Sequence, residues 1–513
     1  MKISQEITNS KLLSFTQLEK TVSTLKEKKK TIALCHGVFD LLHPGHISHF
    51  EQASELADFL IISLTSDRFV NKGPGRPLFT DKIRAHSISN FTYIDYVFIS
   101  NFSTAVEVLK IIKPDFYVKG SDYINEKDDV TGMISKEKEI VESYGGKIHF
   151  TSGFTSSSSK LINSFYSNLS NDSQEWLRNF KALEGYAKIV EYINKISLLK
   201  PLILGECIID KYTFCTPLAK SSKDPILAFQ IIKSDTFAGG VLTIANNCSS
   251  WSDRTGVITF AEPNTYNRFS LGEKLNENIE LELIDTSDRP TILKHRYVEL
   301  GSNIRLFEYY DFSDSFLPLS ELSNLENSIS SKFRDYDLLI LADYGHGFFS
   351  NSVISLIEKL PIFTCINTQS NAGNRGYNTI SKYSKANLIT FNGAELQLEL
   401  RDRNPDYLKI VPEIMQKKMA SHAIVTLGAD GLIVFEKNGN FEKIPAFATK
   451  LIDKVGAGDS VFAIASLLAK VDAPLKVIGF LSNLVAAYEV SQLGHGKSLT
   501  LQDLVKQTKA LLG

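Results

Sequence analysis

Short apolar runs alternate with amphipathic ones along nearly the whole chain, and this alternation restricts the fold more than any other feature. "TIALC" (31–35), "DFLIISLT" (58–65), "YVFIS" (96–100), "DFYVKG" (115–120) and "KIHFTS" (147–152) read as buried strands. Between them, "HISHFEQASELA" (46–57), "TDKIRAHSISNF" (80–91), "STAVEVLKIIK" (103–113) and "SKEKEIVESYG" (135–145) carry helical spacing. Strand–helix alternation of this kind predicts a doubly wound parallel sheet, with ligands beyond the carboxyl ends of the strands. The pattern resumes at "PLILGECIID" (201–210) and runs through "DLLILADYG" (337–345), "ANLITFNGAE" (386–395), "HAIVTLGADG" (422–431) and the helix "DSVFAIASLLAK" (459–470). Residues 208–310 are richer in strand signals and predict a small β-lid. The expectation is two α/β domains, over 1–165 and 200–513. A polar, Asn/Ser-rich stretch and a helix ended by Pro201 form a linker at 166–199. No fixed-period repeat suggests a solenoid.

Composition narrows the function classes. The 513 residues are 43% hydrophobic and 22% charged, with a formal net charge of −2, so no global field draws in nucleic acid. The basic run "KEKKK" (26–30) reads as a solvated helix end. Five scattered cysteines without a CxxC pair fit a reducing compartment better than a disulfide framework or zinc ribbon. "MKISQEITNSKLLSF" has no apolar h-region, and no apolar run approaches the ~18 residues of a membrane span. A cytoplasmic protein without membrane or nucleic-acid partners is expected.

Four of the chain's ten histidines fall within "CHGVFDLLHPGHISHF" (35–50). Zinc explains this poorly: His43 belongs to the Pro44-Gly45 turn, and no Cys or acidic ligand follows at zinc spacing. A phosphate site uses more of the stretch. A strand ends, a loop carries Gly37 and Asp40, and a helix begins near His46, offering unpaired N–H groups and a partial positive charge. Gly45 lets backbone approach a phosphate. Histidines flanking it can donate hydrogen bonds to a pentacovalent phosphorus without a bulky fixed charge.

These residues resemble the HxGH signature of the nucleotidyltransferase superfamily that includes the cytidylyltransferases. "TSD" (65–67), "KGPGRP" (72–77), "YVKGSDY" (117–123), "VTGMISKEKEIVESYGG" (130–146) and "FTSSSSKLI" (154–162) follow in the order the resemblance requires, over about 130 residues. It is nearest to the adenylyltransferase half of the bifunctional sugar kinase/adenylyltransferases that make ADP-heptose. The resemblance implies a Rossmann-like domain in which His43 and His46 stabilise the α-phosphate transition state. Lys119 would steady the α-phosphate and the incoming phosphate, and Lys72 and Arg76 would bind phosphates. Asp40 would orient the loop, while Gly37, Phe39, Gly45 and Asp67 would complete the nucleotide site. Ser157, Ser158 and Ser159, before a short helical pattern, would hold the β/γ-phosphates. His36 and His49 are read as loop and helix-surface residues without a role.

A second constellation is "DKVGAGDSVFA" (453–463). Small residues at a strand-to-helix junction let backbone amides converge on a transferring phosphoryl group, and a carboxylate there can take a hydroxyl proton. The stretch resembles the signature of the ribokinase-like (PfkB) carbohydrate kinases, with Gly456, Ala457 and Gly458 as anion hole and Asp459 as base. "GECIID" (205–210), "AGG" (238–240), "ADYGHG" (342–347), "NGAE" (392–395) and "TLGADG" (426–431) extend the resemblance over 200–513. It implies sugar contacts from Asp210, Gly239, Gly240 and Asp343. Asn392 and Glu395 would organise Mg2+ and phosphate. Thr426, Gly428, Gly431 and Asn483 would bind nucleotide. Two departures stand out: Thr243 occupies a position where the family places a sugar-contacting Asn, and the kinase half comes second. The halves together imply ATP and Mg2+, with CTP as an alternative in the first half, sugar phosphates as substrates, and a homo-oligomer, a dimer through the lids.

Overall fold

The computed structural model describes residues 11–70, 72–73, 75–120, 133–151, 169–221, 223–286, 289–313, 315, 317–371, 373–374, 376–494 and 498–512. They fall into two compact units, one of residues 1–168 with 505–513 and one of 169–504.

The first unit is built on β1 (Leu12–Leu13), β2 (Ile32–Gly37), β3 (Phe59–Thr65), β4 (Tyr96–Ser100), β5 (Phe116–Lys119) and β6 (Lys147–Phe150). Their order is β1-β4-β3-β2-β5-β6, and every pairing is parallel. Ile32 and Leu34 of β2 join one buried cluster with Leu18, Val22 and Leu109, while Ala33 and Cys35 join another with Phe50 and Ile62. Alternation along one strand therefore buries both sheet faces, which doubly wound topology requires. After β2 the chain goes to β3 and β4 on one side and then to β5 on the other, so a crevice opens at the carboxyl ends of β2 and β5. β2 runs two residues beyond the expected strand, with His36 opposite Ser63 and Gly37 opposite Leu64. His36 is thus a strand residue, not a loop residue.

The second unit's main sheet contains β7 (Pro201–Gly205), β10 (Thr255–Ala261), β11 (Ile279–Asp285), β14 (Leu338–Asp343), β15 (Phe363–Thr368), β16 (Leu388–Asn392), β17 (His422–Thr426), β18 (Leu432–Glu436) and β19 (Phe441–Ile444). The order β11-β10-β7-β14-β15-β16-β17-β18-β19 is parallel up to β17 and ends in two antiparallel pairings. Its switch point lies between β7 and β14. A second sheet of order β13-β12-β8-β9 is formed by β8 (Cys207–Lys220), β9 (Leu227–Gly240), β12 (Ile292–Glu299) and β13 (Arg305–Asp311). This is the expected lid, but it is made of two ribbons, because β10 and β11 return to the main sheet between them. The helix Asn171–Ile196, broken at Gly185, is packed within this unit. Trp176 stacks on Phe180 at 4.8 Å, Phe180 on Phe480 at 5.0 Å, and Trp176 Nε1 donates to Glu442 at 2.9 Å.

Gly205 ends β7 beside the switch point with φ +147°, and a Cβ there would lie 2.0 Å from the Ala342 carbonyl. Gly205→Ala should cost about 3 kcal/mol by forcing β7 and β14 apart. A thermal unfolding scan that matches the parent protein would contradict this packing.

Candidate active sites

In the first unit the crevice is occupied by the histidine stretch. His43 caps the helix Pro44–Ser54, its Nδ1 accepting from Gly45 N–H at 3.1 Å. That bond leaves Nε2 as the nitrogen that carries the proton of the neutral ring, and Nε2 is buried with no hydrogen-bond partner among the described residues. The expected free amide at Gly45 is therefore spent on His43, and the ring itself is the available donor. One turn on, the His46 ring lies 3.9 Å from His43, with the edge of Phe39 5.4 Å away. Phe39 has φ +47°. Gly37 makes room for it, since a Cβ there would meet the Phe39 ring at 2.9 Å. Burial lowers the pKa of both histidines, His46 to about 3 with help from His43 and Lys72. Both are neutral donors at neutral pH. Lys72, also beside this pair, is lowered to about 8 by burial first and then by Arg76.

Asp40 organises the loop over the crevice. It accepts from Arg76 at 3.1 Å and from the N–H groups of Leu78 and Phe79 at 2.8 and 3.2 Å. Arg76 thereby anchors the loop through a buried carboxylate. Asp67 is likewise held by Arg84 at 2.7 Å. Arg84 carried no signal in the sequence, yet it is 2% exposed and donates to the carbonyls of Val38, Thr65 and Phe79, stitching three loops of the site together.

Lys119, at the end of β5, pairs with buried Glu137 at 2.8 Å. The two histidines without an assigned role face this lysine. His36 Nδ1 shares a hydrogen bond with Ser63 Oγ at 3.0 Å, and His49 Nδ1 with Thr151 Oγ1 at 2.9 Å. Burial and the Lys119 charge bring them down to about 3 and about 4. His49 belongs to the site and not to the solvent face of its helix. His46 and His49, three residues apart, share a face of the helix that His43 caps. Ser157, Ser158 and Ser159 lie outside the described residues.

In the second unit Gly456, with φ +86°, caps the helix Ala457–Lys470, and Asp459 sits in its first turn. One Asp459 oxygen accepts from Tyr344 Oη at 3.1 Å and Gln369 Nε2 at 2.6 Å. Gly458 in the same turn is exposed, and apart from its own helix and chain neighbours nothing lies within 4 Å of where its Cβ would stand, so the first turn is open on that side. Helix N-terminal amides facing open space form an anion site, and the adjoining carboxylate can receive a proton. Lid residue Lys294, half-buried with its ammonium 5.7 Å from the Tyr344 ring, faces Asp210 and Asp459, and burial lowers its pKa.

Several expected ligands make contacts within the protein. Asp210 stands on lid strand β8, ion-paired to Arg296, which also bonds Glu308 at 3.1 Å. Gly239 is glycine because a Cβ would fall 2.2 Å from Asp210 Oδ2, and Gly240, at φ +58°, turns the chain into the next helix. Thr243 donates to Ala238 O at 2.7 Å. Asp343, 1% exposed, is consumed by Tyr383 at 2.6 Å, Gly345 N–H at 3.1 Å and Lys382 at 2.5 Å. Asn483 accepts from Phe447 N–H and donates to Pro445 O, so it clamps backbone. Glu206, unremarked in the sequence, is fully buried at the switch point and accepts from the N–H groups of Tyr344, His346 and Phe348. Burial and the neighbouring Asp343 push it up to about 7.

Asn392 and Glu395 form a reciprocal capping box, 2.8 Å each way, and burial raises Glu395 to about 7, with Asp459 adding to the rise. Thr426 Oγ1 donates to Phe391 O at 3.3 Å. Gly428 (φ +62°) faces open space, whereas a Cβ at Gly431 (φ +87°) would strike Ile444 O at 2.0 Å.

Residues 34–182 match the family described as Cytidylyltransferase-like, and residues 366–501 match the pfkB family carbohydrate kinases. The N-terminal part is 37% identical over 142 residues to the Bifunctional protein HldE of Syntrophotalea carbinolica, covering 27% of this chain and 28% of that protein. It is 38% identical over 127 residues to the Bifunctional protein HldE of Helicobacter pylori, covering 24% and 27%. The matched stretch spans little more than a quarter of these relatives. A mutant of phosphofructokinase-2 from Escherichia coli superposes with a TM-score of 0.50 at 16% identity, over 61% of this chain and 99% of that one. At that identity the likeness is one of fold.

The histidines provide a pH test. An unfolded chain protonates His36, His46 and His49 near the ordinary value of 6.5, whereas the folded chain does so only near 3 to 4. Between those values the unfolded state binds more protons, so stability falls as the pH drops. From about pH 7.5 to about pH 5 the loss should be at most on the order of 2 kcal/mol per ring. Urea midpoints at the two pH values should show it, and His36→Asn with His49→Gln should flatten the slope. An unchanged slope would contradict the burial of these rings.

Proposed function

We propose that this chain, which carries a cytidylyltransferase-like domain at its N-terminus and a pfkB carbohydrate-kinase domain at its C-terminus, activates a sugar in two steps. The kinase half transfers the γ-phosphoryl group of ATP to the anomeric hydroxyl of a heptose 7-phosphate. The nucleotidyltransferase half joins the resulting type of sugar 1-phosphate to AMP from ATP, giving an ADP-heptose for surface glycan synthesis. The observation that carries this reading is that each unit places reactive groups at its switch point: the buried His43 Nε2 in one, and Asp459 beside an open helix N-terminus in the other.

In the kinase step Asp459 takes the proton of the acceptor hydroxyl. The oxygen attacks the γ-phosphorus, and the bond to ADP breaks. Tyr344 and Gln369 donate to one carboxylate oxygen and hold the group in place. The amides behind Gly456 receive the charge that develops on the phosphoryl oxygens. In the transferase step an oxygen of the sugar 1-phosphate attacks the α-phosphorus and pyrophosphate leaves. Neutral His43 and His46 donate to the crowded phosphorus centre, and Lys72 and Lys119 supply charge around it. Each step is an in-line displacement without a covalent enzyme intermediate.

Mg2+ fits the donor chemistry present. Among the described residues no three His, Cys, Asp or Glu side chains cluster as a protein-held metal site. A hard divalent ion carried by the triphosphate needs only one or two carboxylates. Glu395, raised to about 7 beside Asp459, is such a group, with Asn392 next to it. When bound, the ion would neutralise triphosphate charge.

The lid supports pairing of two copies. Leu218, Leu227, Ile231, Ile304 and Phe307 are each more than half exposed on lid strands or the turn beside them. Burial of such residues drives association. No helix among the described residues is long and apolar enough to cross a membrane. We place the protein in the cytoplasm on the same reading. A different sugar or polyol phosphate, with CTP in the first half, is the second reading. It is favoured by Thr243, which stands where the resemblance places a sugar-contacting Asn and whose hydroxyl donates to Ala238 O.

The test is a turnover assay of the full chain with heptose 7-phosphate plus ATP, and with heptose 1-phosphate plus ATP or CTP, following ADP and pyrophosphate. Asp459→Asn should lower kinase turnover by roughly 10³-fold or more while sparing pyrophosphate release, and His46→Ala should do the reverse. Pyrophosphate with CTP only, or no turnover of either heptose, would replace the first reading by the second.

A further inference from the structure

Asp453 lies just ahead of the Gly456–Gly458 loop, 5% exposed, and no role in phosphoryl transfer falls to it. Its carboxylate nonetheless receives four donors. Oδ1 accepts from Val455 N–H at 3.0 Å and from Arg305 Nη2, and Oδ2 from Tyr212 Oη at 3.1 Å and Gly494 N–H at 3.1 Å. Two of these donors belong to the body of the unit and two to the lid. Tyr212 is on β8, two residues beyond Asp210, and Arg305 opens β13. The bond to Val455 fixes the Lys454–Val455 peptide, one peptide ahead of the bond into Gly456, whose φ of +86° aims the anion-hole amides.

We propose that Asp453 is a positioning residue that registers the lid on the anion hole. With the lid in place, Arg305 and Tyr212 hold the carboxylate, the carboxylate holds Val455, and the Gly456–Gly458 loop is set for the phosphoryl group. With the lid withdrawn, a buried carboxylate would lose its guanidinium and its phenol. Such a group is costly to leave alone, so the loop would shift or the carboxylate would draw in solvent. Phosphoryl transfer is thereby tied to the lid that covers the sugar, which limits transfer to water. The inference rests on the kinase reading for its catalytic consequence but not for the linkage itself.

Two measurements on the full chain separate these. The first is amide hydrogen exchange across 453–460 in the parent, Arg305→Ala and Tyr212→Phe proteins. Losing the lid donors should speed exchange at Val455 by about tenfold, the equivalent of one hydrogen bond. Unchanged exchange in both variants overturns the proposal whether or not the protein is a kinase. The second is kinase turnover. Arg305→Ala should lower kcat roughly 10- to 100-fold, with KM for ATP changed far less. Because the Arg305 side chain is 41% exposed, a small cation can enter from solvent. Guanidinium at concentrations below those that unfold the chain should restore part of the Arg305→Ala rate and none of the Asp459→Asn rate. A parent-like kcat in Arg305→Ala, or a lost kcat that guanidinium does not raise, contradicts the coupling. A parent chain without kinase turnover whose exchange still responds to Arg305→Ala would sink the kinase reading and leave the linkage standing.

Discussion

Both sites depend on one constraint of parallel sheets. When the chain leaves its first strand in one direction and later returns on the other side, the two connections diverge at the carboxyl edge. The crevice that opens is lined by strand ends and helix N-termini, whose backbone groups lack intrahelical partners. In the first unit the crevice lies between β2 and β5, in the second between β7 and β14. The HxGH stretch follows β2 directly, Lys119 ends β5, Glu206 follows β7, and Tyr344 follows β14. The candidate site residues are where topology leaves room for them.

An open crevice needs its loops held, and buried charge does that here. Arg84 gathers three loop carbonyls and Asp67. Asp40 gathers Arg76 and two amides. Glu206 gathers three amides of the segment after β14. Removing one member of such a set strands the others without partners, which costs more than the net worth of the intact set. These residues are therefore as necessary to the sites as those that would touch substrate, although they act through backbone geometry.

This division explains what was legible in the sequence. The alternation of strands and helices, the HxGH stretch and the GAGD turn are local patterns that the structure keeps in place, whereas the lid divides into two ribbons because β10 and β11 pair with the main sheet. The framing residues were not legible, because their partners are distant: Arg84 reaches Val38, and Glu206 reaches residues beyond 340. The internal contacts of polar residues near a motif are hidden for the same reason. Arg76, Asp343, Asn483 and Thr243 each have partners within the protein that the sequence does not announce. His36 and His49 were under-read. One is a strand-end residue beside β3 and the other shares a helix face with His46, so their burial depends on where the strand stops and which face is covered.

The central claim is that one chain holds two separate nucleotide sites. Calorimetric titration of the full-length protein with α,β-methylene-ATP and Mg2+, without acceptor sugar, tests it most directly. The account expects two bound nucleotides per chain. A single site would contradict it, leaving one unit as a framework without the activity assigned to it.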